Sequence, residues 1–301
     1  MIQQFDERNK NIKVWVGDQL YDRKDAKVSV FDSSVQGGDA VWEGLRIYNG
    51  KIFSLNEHLQ RLQESAHTLA FASIPTNEVI INAIFKTLKA NNMTDGVHVR
   101  LTLTRGIKIT SGMDPRLNKN GCTLIVLAEF KAPVYDQTGI KLVTSNIRRN
   151  TPLCLDSKIH HANLLNNILA KIEANVAGAD DALMLDINGF IAETNATNIF
   201  MIKNGELHTP EATACLPGIT RGLVLEIAQK QNIKVNIRNI SLTEFYNADE
   251  VFVTGTMGEL TKVTNIDNRK IIHNNSSKIL LEKLNNAFYK LTAESGEPIP
   301  N

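Results

Sequence analysis

Hydrophobic and polar positions along the chain follow two distinct periods. VHVRLTLTRG alternates cleanly, with Val97, Val99, Leu101 and Leu103 on one side and His98, Arg100, Thr102 and Thr104 on the other, the two-residue period of a strand. The polar row could line a site or face water, and the alternation favours neither. TLIVLAEF, the longest apolar run, reads as a core strand and is far too short to cross a bilayer. Leu55, Leu59, Leu62, Ala66 and Leu69 recur at helical spacing behind Ser54-Leu55-Asn56-Glu57, a capping-box pattern, while His58, Arg61 and Ser65 fall on another face. A second helix is expected over about 77–91.

The second half opens with the strand GIKLVTS. LDSKIHHANLLNNILAKIEAN follows, and its helix places Leu165, Ile168, Leu169 and Ile172 on one stripe, expected to be buried. Then come the hairpins DALMLDINGFIAE and TNIFMIKNGELHTP, a helix after LPGIT, the strands IKVNIR and VFVTGT, and a helix from about Ser276. Asn-Gly pairs at Asn49-Gly50, Asn120-Gly121, Asn188-Gly189 and Asn204-Gly205 separate strand-like runs. Both residues tolerate positive φ, so largely antiparallel sheets are expected. KAPVYDQTG divides the halves. The expected organisation is α+β with two domains, 1–132 and 140–301, joined by a loop over 133–139.

Composition narrows the function class. The 301 residues carry 43% hydrophobic and 22% charged positions and a formal net charge of +1. Nothing in that balance calls for nucleic acid or an anionic membrane, and a protein handling small molecules is expected. Cys122, Cys154 and Cys215 are far apart and show no metal-ligand spacing, so no metal site is expected and a reducing compartment is favoured. The polar, charged start MIQQFDERNK does not read as a signal peptide. The expected location is the cytoplasm.

Several short stretches could carry chemistry. In LPGITRGLVLEIA a helix starts directly after Pro217-Gly218, and helix starts present free N–H groups to phosphate, with Thr220 adding a hydroxyl. VFVTGTMGEL runs into a turn where Gly255 permits close approach and Thr256 offers a hydroxyl. Glu193 ends a strand before a polar turn, where a carboxylate could hold a ring nitrogen protonated. Arg61 lies off the apolar stripe of its helix and could bind phosphate bidentately. Taken singly, each is better read as an ordinary turn, helix start or solvated charge.

In order, however, VWEGLRIYNGKIFSLNEHLQRL, GFIAETNATNIF, LPGITR and ADEVFVTGTMGEL resemble the fold type IV pyridoxal-phosphate enzymes, over about residues 28–290. That group holds branched-chain amino acid aminotransferases, D-amino acid aminotransferases and aminodeoxychorismate lyase, and the EGLR and ADEVFVTGT wording is nearest the branched-chain members. The resemblance implies a small N-terminal α/β sandwich, a larger C-terminal pseudo-barrel, a homodimer and a site between the domains. It implies pyridoxal 5'-phosphate held at its phosphate by Arg61, Ile219, Thr220 and Thr256, with Glu193 on the pyridine nitrogen. Trp42, His98 and Arg100 match positions that face substrate, and Arg100 could bind a carboxylate. The implied reaction moves an amino group from a branched-chain or related apolar amino acid to a 2-oxo acid by a ping-pong route. A D-amino acid aminotransferase or an aminodeoxychorismate-lyase-like enzyme is the alternative within the group.

The family's Schiff-base lysine lies a few residues before an Asn-x-Leu helix start, here Asn163-Leu164-Leu165. Members with three residues from lysine to asparagine put His160 in that slot. The branched-chain members have four, and Lys158 stands five before Asn163, an insertion that a loop absorbs. In one reading Lys158 is the nucleophile and His160 a neighbouring acid or base. In the other the lysine is absent, and the cofactor is bound non-covalently without transamination. Leu164 and Gly37 stand where the branched-chain members have tyrosines, which implies altered substrate contacts. TRGIKITSGMDPRLNKNG is long, basic and contains glycine, and is expected as a lid over the pocket.

Overall fold

The computed structural model describes residues 3–136, 138–272 and 274–300. They fall into two compact units that are not simply successive stretches of chain. Among the described residues, one holds Gln3–Ala132 together with Ile159–Asn163 and residues 292–300, and the other lies within 133–158 and 164–291.

The N-terminal unit is built on β1 (Lys13–Val16), β2 (Gln19–Asp22), β3 (Ala40–Tyr48), β4 (Lys51–Ile52), β5 (Val97–Thr104) and β6 (Thr123–Phe130), with α1 (Ser33–Gly37), α2 (Leu55–Thr68) and α3 (Asn77–Ala90). Its antiparallel sheet runs β4-β3-β5-β6-β1-β2, and Glu297–Pro298 pairs with β4 at the edge. The apolar row of β5 meets Leu59 and Leu62 of α2 and Ile80, Ile84 and Leu88 of α3 in one core. The polar row is not solvated: His98 and Thr104 are buried, and Arg100 and Thr102 are half-buried. Residues 160–162 pair along an edge of β3, with Trp42 N–H donating to His160 O at 3.0 Å and Ala162 N–H to Ala40 O at 2.8 Å. This pairing explains why a short stretch from the middle of the chain belongs to the N-terminal unit.

The capping box expected at Ser54 does not form. Ser54 sits in the left-handed region at φ 50 and makes no side-chain cap, whereas a capping hydroxyl needs an extended backbone. Thr76 caps α3 instead, accepting from Val79 N–H. Asn49-Gly50 and Asn204-Gly205 do take positive φ at both residues.

The C-terminal unit contains β7 (Ile140–Thr144), α4 (Leu165–Val176), β8 (Asp181–Leu185), β9 (Ile191–Thr194), β10 (Asn198–Lys203), β11 (Glu206–Thr209), α5 (Ile219–Lys230), β12 (Val235–Ile237), α6 (Leu242–Tyr246), β13 (Glu250–Gly255), β14 (Glu259–Ile266), β15 (Arg269–Lys270) and most of α7 (Asn275–Glu294). The sheet order is β12-β11-β10-β13-β14-β7-β8-β9. The pairs β11–β12, β14–β7 and β7–β8 are parallel, so this sheet is mixed. A tight turn, closed by Thr194 N–H to Thr197 O at 2.8 Å, brings β9 beside β10 and curls the sheet towards a half-barrel. Ile199, Met201, Val251, Val253, Leu183 and Val263 fill its inner side.

One expected buried face is reversed. Leu165, Ile168, Leu169 and Ile172 of α4 are exposed by 67%, 53%, 41% and 51%, and Val176 extends the same stripe. The buried side is Ala170 and Ala174, which pack with Ala182 and Met184 of β8. Alanines let a helix lie closer to a sheet than large side chains would, so the small face turned inward. Ala174→Leu should therefore lower the unfolding free energy by ~1–3 kcal/mol through overpacking, measured by urea denaturation.

Candidate active site

Two clusters of polar side chains are built, one in each unit. In the N-terminal unit the centre is Glu43, fully buried in mid-β3. Arg61 Nε donates to its Oε1 at 2.8 Å and Arg61 Nη2 to its Oε2 at 2.8 Å. His58 Nδ1 lies 2.6 Å from Oε2 and His160 Nδ1 lies 2.9 Å from Oε1. Burial opposes the charge on Glu43, but His160, Arg61 and His58 outweigh it and hold the carboxyl well below its ordinary range. Burial pushes the His160 imidazole down, against the pull of Glu43.

Around this carboxylate stand the residues expected to face substrate. The Trp42 ring contacts the His160 ring at 4.1 Å between centroids, and the Arg100 guanidinium stacks on Trp42 at 3.4 Å. Burial lowers Arg100 to about 10, with Glu43 opposing. His98 is pushed down to about 3, first by burial and then by Lys131, Arg100 and Arg46, so it is neutral near pH 7. Gly44 leaves it room: a Cβ there would meet His98 Nε2 at 3.2 Å.

In the C-terminal unit Glu193 is buried near the end of β9. Arg149 Nε donates to its Oε1 at 2.6 Å, and Asn198 Nδ2 donates to its Oε2 at 3.1 Å and to Leu216 O at 2.8 Å. Burial raises the Glu193 carboxyl, and Arg149 pulls against that rise. Asn198 thus ties the carboxylate to the loop that leads into α5. That helix starts at Ile219 without a side-chain cap, leaving its first N–H groups to an anion. Thr220 is buried in its first turn. The helix packs on β13, which ends at Gly255 beside the half-buried Thr256. Gly255 has no space to spare: a Cβ there would meet Thr197 at 3.1 Å.

Lys158 Nζ is half-exposed and paired with Asp156 at 3.3 Å. Its charge is nevertheless felt at Cys215, a buried thiol pushed up to about 12 by burial and by Glu193, and lowered by Arg221, Arg149 and Lys158. Arg61, expected at a phosphate, has Nε and Nη2 engaged by Glu43.

Residues 40–266 match the family of class IV amino-transferases. The chain belongs to that family. The branched-chain-amino-acid aminotransferase-like protein 2 of Arabidopsis thaliana is 60% identical over 293 residues, covering 97% of this chain and 52% of its own length. The chain thus spans about half the length of that relative. A putative branched-chain-amino-acid aminotransferase of Methanocaldococcus jannaschii is 39% identical over 95% of this chain and 98% of its own. Among solved structures, the branched-chain amino acid aminotransferase of Escherichia coli matches with TM-score 0.84 at 28% identity, covering 96% of each chain. A second branched-chain amino acid aminotransferase, complexed with N-(5'-phosphopyridoxyl)-L-glutamate, matches with TM-score 0.86 at 30% identity, covering 94% of this chain and 95% of that one.

Within this class IV amino-transferase, sequence reasoning missed Glu43, Arg149 and Asn198. Glu43 left a signal. It shares the strand period of Val41, Leu45 and Ile47, so a charge falls on the apolar side of β3, where it must be paired. Arg149 and Asn198 left none, because their partners are brought in by tertiary contacts.

Removing Glu43 strands Arg61 against a buried site. Glu43→Ala should cost about 3–5 kcal/mol near pH 7, measured by chemical denaturation. The Glu43 carboxyl is depressed in the folded state, so its contribution is complete above the unfolded value of about 4.3 and is lost as pH falls through the lower folded value. The gap between wild type and variant should therefore close on acidification below that range.

Proposed function

We propose that the chain is an aminotransferase that uses pyridoxal 5'-phosphate to pass an amino group from an amino acid, branched-chain or of related apolar type, to a 2-oxo acid by a ping-pong route. The observation that carries this reading is the Glu193 cluster: a buried carboxylate tied through Asn198 to the loop before an uncapped helix start. That donor set fits the cofactor. Glu193 accepts from Arg149, Asn198 and the Leu216 backbone N–H, which leaves its two oxygens some acceptor capacity that would hold the proton of the ring nitrogen. The first N–H groups of α5 at Ile219 and Thr220, with the Thr256 hydroxyl, would hold the phosphate. The bound cofactor supplies an electron sink when the substrate's α-proton leaves. Arg149 opposes the rise that burial imposes on the Glu193 carboxyl and orients it. Lys158 is assigned as the amine that carries the cofactor, supported by its place five residues before Asn163 and by its small lowering effect on the Cys215 thiol of the same unit. Arg100, stacked on Trp42, is assigned to the substrate carboxylate.

A second reading, non-covalent binding without transamination, is favoured by the ion pair of Lys158 with Asp156 and by His160 lying on Glu43 three residues before Asn163. Borohydride reduction of the protein with pyridoxal 5'-phosphate, followed by peptide mapping, separates the two. The first reading requires a pyridoxyl group on Lys158, lost in Lys158→Ala, and amino transfer from leucine. Tight cofactor binding with no labelled peptide would replace it by the second.

We also assign the protein to the cytoplasm, supported by three free cysteines, and to a homodimer. Among the described residues no helix is long and apolar enough to cross a membrane. The dimer is supported by the exposed apolar stripe of α4, the kind of surface that subunit contacts cover. Ile168→Glu combined with Ile172→Glu should yield a folded monomer by light scattering. A wild type that is itself monomeric at micromolar concentration would refute the assignment.

A further inference from the structure

Glu193 stands just before the turn from β9 to β10 and Asn198 just after it. Three hydroxyls lead away from that turn, and their hydrogen bonds all run one way. Thr194 Oγ1 accepts from Ala196 N–H at 3.2 Å and from Thr197 N–H at 2.9 Å. A hydroxyl has two lone pairs and one hydrogen. Thr194 has only its hydrogen left, which it donates to Thr197 Oγ1 at 2.7 Å. Thr197 in turn donates to the Tyr135 oxygen, and Tyr135 O–H donates to Asp181 Oδ2. Lys171 Nζ, 3.1 Å from Asp181 Oδ1, balances the carboxylate that ends the chain. Burial and Asp181 hold the Tyr135 hydroxyl well above its ordinary range, so it keeps its proton. The same residues grip a second turn. Val134 N–H donates to Met257 O at 3.0 Å. A Cβ on Gly258 would stand 2.7 Å from the Tyr135 ring, and one on Gly255 would stand 3.1 Å from Thr197 Cγ2. Glycine at both positions lets the turn that carries Thr256 lie directly against Tyr135 and Thr197. All of these residues belong to the C-terminal unit.

We propose that Tyr135 is a positioning residue which, through Thr197, fixes the Glu193 carboxylate and the Thr256 turn at the separation that a phosphorylated pyridine requires. The inference rests on the aminotransferase reading and deepens it at the cofactor site. A ligand held at both its ring nitrogen and its phosphate gains from the second contact only when the two anchors keep a set distance. Glu193 and Thr256 are on different strands and turns. The Tyr135–Thr197 pair touches both turns: its hydrogen bonds reach the one beside Glu193, and its ring and methyl group pack on the one that carries Thr256. Tyr135 is itself anchored by Asp181 on β8. It acts through these neighbours and is not assigned a contact with the ring or the phosphate.

The probe that tests this is pyridoxine 5'-phosphate, which has the ring and the phosphate but no aldehyde, so it forms no imine with any lysine. Equilibrium titration of the full chain reads its affinity. Nitrogen NMR of the ring-labelled ligand reads whether the bound ring nitrogen is protonated. Tyr135→Phe removes one oxygen and should weaken binding ~10-fold. It should also lower the fraction of bound ligand that keeps its ring proton at a pH where the free ligand has lost it. Thr197→Val should do the same. The double variant should lose no more than either single one, because the two hydroxyls act as one link. Thr197→Ser keeps the hydroxyl and should bind more tightly than Thr197→Val. Affinity and ring protonation unchanged in Tyr135→Phe and Thr197→Val overturn the proposal, even if both variants melt earlier. Losses that add in the double variant overturn it as well, as does a Thr197→Ser no better than Thr197→Val. If one single variant does not fold, the other, at the opposite end of the same hydrogen bond, decides. A wild type that binds neither pyridoxal 5'-phosphate nor pyridoxine 5'-phosphate sinks the cofactor reading itself. Wild-type binding that is insensitive to Tyr135 and Thr197 sinks only the positioning role, so the two failures are told apart.

Discussion

A carboxylate with no access to water stands in the middle of β3 in the N-terminal unit, and much of that unit is arranged to tolerate it. Taking such a charge out of water costs several kcal/mol, and Glu43 is fully buried. The chain offsets this with a fixed position and with partners from two other places. Its own sheet supplies the rigid position, α2 supplies His58 and Arg61 one turn apart, and residues 160–162 run along β3 and deliver His160. The last contribution links fold and chemistry. The short stretch that the family uses for its lysine is fixed to β3 by backbone hydrogen bonds. The histidine it carries is therefore held by the backbone on one side and by the Glu43 carboxylate on the other.

The C-terminal unit solves a similar problem differently. Glu193 sits near the end of β9, where the tight turn to β10 curls the sheet. Arg149 provides the counter-charge and Asn198 provides a neutral link to the loop before α5. Glu43 is enclosed by N–H donors on both oxygens, whereas Glu193 keeps acceptor capacity beyond Arg149, Asn198 and the Leu216 backbone. One arrangement suits a permanent structural anion that orients other groups. The other suits a carboxylate that receives a further N–H from a ligand. The helix start and Thr256 belong to the same unit, so the groups assigned to the cofactor's ring and phosphate are held by one sheet and the helix packed on it.

Helix α4 shows how size can overrule periodicity. Its large apolar residues form the more hydrophobic stripe, yet two alanines face β8 and the stripe faces outward. Close approach of a helix to a sheet favours small side chains at the contact. An apolar period on its own only says that one face differs from the other. A stripe left outside has the character of a subunit contact.

Local signals in the sequence were enough for the strands with two-residue alternation, for α2 and α3, for the Asn49-Gly50 and Asn204-Gly205 turns, and for the order of motifs that marks the family. Those features depend on neighbours within a few positions, and short-range sterics and backbone hydrogen bonding decide them. For the candidate site, motif wording singles out Glu193, Ile219, Thr220 and Thr256, and the structure places all four in the C-terminal unit, while their roles stay part of the proposal. Tertiary structure alone decided that Arg61 would meet Glu43, that Arg149 and Asn198 would meet Glu193, that the polar row of β5 would be buried, and which face of α4 would point inward. Most of those outcomes pair residues far apart in the chain or weigh a helix face against a distant strand. The physical reason is common to all of them. A buried charge takes whichever partner the fold brings within hydrogen-bond distance, and no local pattern records which partner that will be.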